Sequence, residues 1–216
     1  MKAQEILPIL LLQLRNIFAL TEEESKILSQ AKIIENSYER TSECFAKGYN
    51  KYFSKETGLN PFNSLMYTNY LYQISHRLYK EGHSLVADKV YYLNKMLNAV
   101  DLFYAIDLPK HWNCEHPIGS IMGRAKYGDY FLFYQSCTVG GNTSDGKHFN
   151  YPVLGNHVTM YSGAKVLGKS NIGNNVIIGA NAYIKDTNIP DNSLVFGQHP
   201  NLIIKPNNNS IPFWKE

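Results

Sequence analysis

The chain has 216 residues, 44% of them hydrophobic, and 21 Lys and Arg stand against 18 Asp and Glu for a formal charge of +3. That length holds one large domain or two small ones with a real core, and the dispersed charge leaves no basic footprint for nucleic acid. No apolar run reaches the roughly 20 residues of a membrane span, and the three cysteines, Cys44, Cys114 and Cys137, form neither a CxxC pair nor a disulfide framework, which points to a reducing, cytoplasmic setting.

The first hundred residues carry a helical period. Residues 6–14 are apolar, but Gln4 and Glu5 precede them, Arg15 follows and no small-residue cleavage site appears, so they predict a first helix packed on a partner rather than a signal peptide. Thr21 with Glu24 three residues on is a capping box, which predicts a second helix from Glu22 through Leu28, Ile33 and Ile34 towards Phe45, ended by Gly48. Asn60-Pro61 opens a third helix with Leu65, Tyr72 and Leu78 at helical spacing and Gly82 as its C-terminal cap. A fourth runs from His83 to about Val100 on Val86, Val90, Leu93 and Leu97.

After Asp107 the period changes to six. Steps of six from Ile121 give Tyr127, Phe133 and Val139; steps of six from Leu154 give Met160, Val166, Ile172, Ile178 and Ile184. Between the two runs the register jumps by 15, so residues 140–153 are expected to leave the repeat as a loop. In a hexapeptide repeat each hexad supplies one short parallel strand and one turn, three hexads close a triangular coil, and every sixth residue points into the prism. Glycine and asparagine beside the inward residue suit corners that need positive φ or close backbone approach. The expected fold class is therefore α+β: a helical domain over 1–106, a β-helix over 107–204 and a tail over 205–216. Pro200, Pro206 and Pro212 mark the cap and tail.

Such a prism is a scaffold, and function has to be argued from sites. Of seven histidines, His76, His83 and His111 lie in or near the helical half, with His76 read as a partly buried helix residue, and His157 and His199 carry no assigned role. His116, in HPIGSIMG, and His148, in the interrupting loop, remain.

The run HPIG at 116, QSCTVGG at 135, DGKH at 145, GAKVLG at 163 and IGNNVIIGANAYI at 172 resembles the serine O-acetyltransferases in order and spacing. The resemblance covers roughly residues 65–204. It implies a left-handed β-helix enzyme that moves acetyl from acetyl-CoA to the hydroxyl of L-serine in cysteine biosynthesis, with no metal. It places His116 on the catalytic histidine, His148 on a second active-site histidine and Asp107 on the carboxylate that orients the catalytic imidazole. Glu115 and Lys147 fall where the family has Asp and Arg around the acceptor, and Gly163, Ala164, Gly179 and Ala180 are expected along the acetyl-CoA groove. A serine hydroxyl is a poor nucleophile at neutral pH, so attack on a thioester needs a base with a pKa near 7, which histidine supplies. A homotrimer through residues 115–195 with the site between neighbours is expected, and the helical half is a candidate to pair two trimers.

Departures from the family fall on the acceptor side. Asp107 lies only nine residues before His116, a shorter segment than the family has, and Lys147 cannot make the planar two-pronged contact of an Arg. The alternative reading is therefore acetyl transfer to a sugar hydroxyl or amine in surface-polysaccharide synthesis. Two further classes compete: a metal-dependent lyase of the γ-carbonic anhydrase kind, which needs three convergent histidines that the spacing of His116, His148 and His157 does not fit, and a scaffold without catalysis.

Overall fold

The capping box forms as its spacing predicts: Glu24 N–H donates to Thr21 Oγ1 (3.1 Å) and Thr21 N–H to the Glu24 carboxylate (2.8 Å). The computed structural model describes residues 1–48, 52–143, 145–208 and 213–215, and the chain divides into two compact units, Met1–Ala105 and Ile106–Glu216.

The first unit is helical: α1 Ala3–Phe18, α2 Glu22–Leu28, α3 Ala31–Lys47, α4 Ser64–Lys80 and α5 Ser84–Asn98, followed by a two-residue strand, β1 Asp101–Leu102. On α1 the residues Ile6, Leu10 and Leu14, four apart, are buried in the unit's core. The single helix expected from Glu22 to Phe45 is in fact two. The apolar period continues across the join, but the hydroxyls of Ser25 and Ser29 bond back to the carbonyls of Thr21 and Ser25 (2.8 and 2.7 Å), and Gln30 takes an extended ψ of 131° and starts α3 afresh. Asn60-Pro61 forms a turn rather than the helix start; Asn63 caps α4 by accepting from Leu65 and Met66 N–H. Gly82, at φ +84°, ends α4 in a Schellman arrangement, with His83 N–H on Leu78 O (2.8 Å) and Gly82 N–H on Tyr79 O (3.0 Å). His76 has a structural place: its Nδ1 lies 2.6 Å from Tyr104 O and its ring stacks on Tyr72.

The second unit is a parallel β-helix. Its first face stacks β2 Trp112–Cys114, β5 Phe131–Phe133, β8 Thr159–Met160, β11 Val176–Ile178 and β14 Ser193–Gln198. The second stacks β3 Ile121–Met122, β6 Thr138–Gly140, β9 Lys165–Leu167 and β12 Tyr183–Lys185. The third stacks β4 Lys126–Tyr127, β7 Val153–Leu154, β10 Asn171–Ile172 and β13 Asn188–Ile189. The inward columns are the hexad residues, among them Phe133, Met160 and Ile178 on the first face and Val139, Val166 and Ile184 on the second, all 0% exposed. One hexad position is displaced: Met122 (1% exposed) points inward and its neighbour Ile121 (46%) does not. The corner between Cys114 and Met122 is two residues longer than a hexad and the next, from Met122 to Tyr127, is one residue shorter, so the inward position falls on Met122 instead of Ile121. The loop is equally explicit in the pairing. Lys126 pairs with Val153 27 residues on, whereas Val153 pairs with Asn171 18 residues on, so the loop adds nine residues to one coil.

Corners explain the glycine and asparagine content. Tyr130, His157, Asn175 and Asn192 occupy the left-handed region at one edge, and Gly119, Ser136, Gly163 and Asn181 at another. Asn156, Asn174 and Asp191 each accept, through Oδ1, the backbone N–H of the residue one coil earlier (Asp129, Asn156 and Asn174; 2.7–2.8 Å), an Asx ladder running along the prism. β14 turns at Pro200 into β15 Asn201–Pro206, which pairs with it antiparallel. Beyond it Trp214 packs edge-on against Tyr130; Pro212 and Glu216, expected in the tail, lie outside the described residues. No described helix is long and apolar enough to cross a membrane.

Candidate active site

The enlarged corner of the first coil is what HPIGS builds. His116 sits at φ +49° and Gly119 at φ +75°, while Pro117 is buried and Ser120 N–H closes the turn on Pro117 O (3.1 Å). Ser120 Oγ then donates to Tyr134 O (2.9 Å) and accepts from Cys137 N–H (3.2 Å), and Ser136 N–H reaches Ile118 O (2.9 Å), so the corner is riveted to the coil beneath it. A histidine leads into the proline and glycine because the chain must bulge there, and the bulge leaves the His116 imidazole exposed. Its neighbour Glu115 is half-buried: burial pushes its carboxyl above the usual range, and the nearby His116 works against that shift. Asp107 is exposed and makes no hydrogen bond to His116, whose imidazole has no hydrogen-bond partner among the described residues.

The nine-residue insertion makes the second feature. Asn142 and Asn150 exchange two main-chain bonds (3.0 and 2.8 Å) at its root. Asn142 Nδ2 also donates to both oxygens of Asp186 (3.0 Å each), and Asp186 accepts Lys169 N–H (2.7 Å), which ties the root to the body of the β-helix. A cavity of about 310 Å³ opens there, lined by these residues with Thr143 and Lys185. At the tip Asp145 gathers four donors: Oδ1 accepts Thr143 Oγ1 (3.1 Å), Lys147 N–H (2.9 Å) and His148 N–H (2.8 Å), and Oδ2 lies 2.6 Å from His148 Nδ1. The His148 side chain is otherwise 87% exposed, and Lys147 is exposed beside it. The His148 ring, then the two backbone donors, hold the Asp145 carboxyl well below the ordinary range.

The carboxylate–imidazole pair at this site is thus Asp145–His148. Asp145 lies in the DGKH motif, where the sequence alone assigns it no role; its signal is an Asp-Gly turn, whose Asp side chain bonds backbone donors two and three residues on. A second such pair, Asp129 with His111 Nδ1 (2.9 Å), is structural: His111 is buried and stacks on Tyr130, whose other neighbour in the stack is His157. Among the described residues no group of three His, Cys, Asp or Glu side chains converges as metal ligands.

Gly163, Ala164, Gly179 and Ala180 lie on the edge between the first and second faces, two and three coils from His116 on that same edge. The N–H groups of Gly163, Ala164 and Gly179 already bond Gln135, Tyr161 and Val195 carbonyls, whereas Ala180 is exposed. The His148 loop leaves from the other side of the second face, between β6 and β7. Within one protomer the His116 corner and the root of the His148 loop therefore lie at different edges of the prism.

The chain matches no family profile, but individual relatives are clear. It is 33% identical over 128 residues to the serine acetyltransferase of Synechococcus elongatus, covering 58% of this chain and 51% of that one. It is 30% identical over 135 residues to the serine acetyltransferase of Helicobacter pylori, covering 62% of this chain and 78% of that one. The chain belongs to the serine acetyltransferase family. It spans about half the length of the Synechococcus serine acetyltransferase. The fold agrees: a Brucella abortus serine acetyltransferase, solved in complex with coenzyme A, superposes with a TM-score of 0.65 at 18% identity over 85% of this chain and 72% of that one. As a serine acetyltransferase family member, the chain keeps the family's helical region followed by a parallel β-helix.

Proposed function

We propose that the protein is an acetyl-CoA-dependent O-acetyltransferase whose acceptor is the hydroxyl of L-serine. The observation that carries this reading is the pairing of family membership with a histidine displayed on a reinforced corner, His116, and a second displayed on the one loop that interrupts the coils, His148. In this reading His116 takes the hydroxyl proton as the oxygen attacks the thioester carbon, and returns it to the thiolate of CoA as the thioester breaks. The exposed Ala180 and the small residues at Gly163, Ala164 and Gly179 leave room for the donor's thin pantetheine arm along the edge that carries His116. Glu115 and Lys147 are assigned to the acceptor's amino and carboxylate groups.

We read the assembly as a homotrimer, supported by the attachment of the His148 loop at a different edge from the His116 corner, since a neighbour's loop can then meet that corner. Exposed Ile118, Ile121 and Val153 on the outside of the β-helix supply apolar surface for that contact.

A second reading, transfer to a sugar hydroxyl or amine, is favoured by Lys147 alone, because an ammonium recognises a carboxylate less specifically than a guanidinium does. Release of free CoA from acetyl-CoA, followed with L-serine, amino sugars and neutral sugars in turn, tests both. Turnover with L-serine alone supports the first reading; turnover only with sugars replaces it; turnover with none removes both.

A further inference from the structure

From the loop geometry we infer that Asp145 is the positioning residue for His148, holding it as the Nδ1–H tautomer so that Nε2 is the free acceptor presented to the substrate. The inference rests on the acetyltransferase reading for the purpose of that acceptor, but the tautomer itself is a property of the free protein.

The two Asp145 oxygens are not equivalent. Oδ1 is committed to donors only: the hydroxyl of Thr143 and the main-chain N–H groups of Lys147 and His148. Oδ2 faces His148 Nδ1 at 2.6 Å. A carboxylate can only accept, so a neutral imidazole in this position must place its proton on Nδ1, and Nε2 is left with its lone pair outward. The exposure of His148 means that no other group competes for its orientation: Asp145 alone selects the tautomer, and the three bonds on Oδ1 fix the carboxylate that does so. Below the tip, the Asn142–Asp186 contact fixes where the loop stands on the β-helix. His116, on the enlarged corner, has no comparable partner among the described residues.

This arrangement makes Asp145→Asn a sharp test, because it preserves the loop and inverts the tautomer. The amide oxygen must take the Oδ1 position to keep the three donors, which leaves Nδ2, a donor, facing Nδ1. Nδ1 then has to accept, and the proton moves to Nε2. The experiment is nitrogen-15 NMR of the His148 ring in the full-length protein at about pH 8, above the unperturbed histidine pKa of about 6.5, together with steady-state CoA release. Wild type is expected to show the Nδ1–H tautomer and Asp145→Asn the Nε2–H tautomer, with kcat/KM for the acceptor falling at least tenfold and KM for acetyl-CoA unchanged; Asp145→Glu should recover part of the loss. An Nε2–H tautomer in wild type, or no change in Asp145→Asn, overturns the inference. A swapped tautomer with wild-type acceptor kinetics also overturns the positioning role. If wild type acetylates nothing, the acetyltransferase reading fails, and the wild-type ring spectrum still decides whether Asp145 sets the tautomer.

Discussion

Glu115 sits half-buried beside an exposed imidazole, and its ionisation gives a direct readout of the corner. Burial raises its folded-state pKa above the unfolded value, so folding favours the protonated carboxyl. The associated stabilisation is fully present below the unfolded pKa and is lost as pH rises through the raised folded value. Glu115→Gln, neutral throughout, is therefore expected to melt higher than wild type at about pH 8 and to lose that advantage by about pH 4, where both are uncharged. A variant that melts lower at pH 8 would contradict burial as the dominant influence on the Glu115 carboxyl. At this scale the sequence is informative about exposure: both His116 and His148, singled out by their motifs, are exposed. Asp145 was not assigned because its role depends on which of two oxygens faces the ring, and a motif carries no such geometry. The resemblance implies support for His116 from Asp107, which lies only nine residues before it in the chain, and no hydrogen bond joins the two.

Elements were legible wherever one local signal dominated. The Thr21–Glu24 capping box fixed the start of α2, and Thr21→Ala should lower stability by about 1 kcal/mol in urea melts, since it removes an acceptor for the Glu24 N–H. The break between α2 and α3 was hidden because Leu28, Ile33 and Ile34 keep a helical period straight across it, while the back-bonding serines that open the helix have no periodicity. In the β-helix the six-residue rhythm locates the inward columns, and it slips at Ile121 because Met122 and Tyr127 stand five residues apart instead of six. Close packing between coils sets a stricter rule at Gly155, where a Cβ would stand 2.7 Å from the Gly173 main chain. Gly155→Ala is expected to destabilise the protein by about 1–3 kcal/mol, because backbone cannot yield as a flexible side chain does; an unchanged denaturation midpoint would show that the coils can separate there. At the root of the loop, Asn142→Ala removes both bonds to Asp186. The loop should then be cut faster by a nonspecific protease between residues 143 and 149, with the thermal midpoint of the β-helix little changed.

For the whole molecule, the proposed reading makes assembly part of the chemistry, because the His116 corner and the root of the His148 loop lie at different edges. A stable trimer in light scattering at micromolar concentration is expected; a monodisperse monomer that still turns over acetyl-CoA would mean that a single protomer completes the site. The central claim is that the His116 corner supplies the base. Its most direct test is the rate of CoA release from acetyl-CoA with L-serine for wild type and His116→Ala. The account predicts that kcat falls at least about a hundredfold in the variant while KM for acetyl-CoA stays within a factor of two or so, because proton removal is an interaction of the transition state and not of donor binding. An alanine variant that releases CoA at the wild-type rate would contradict it.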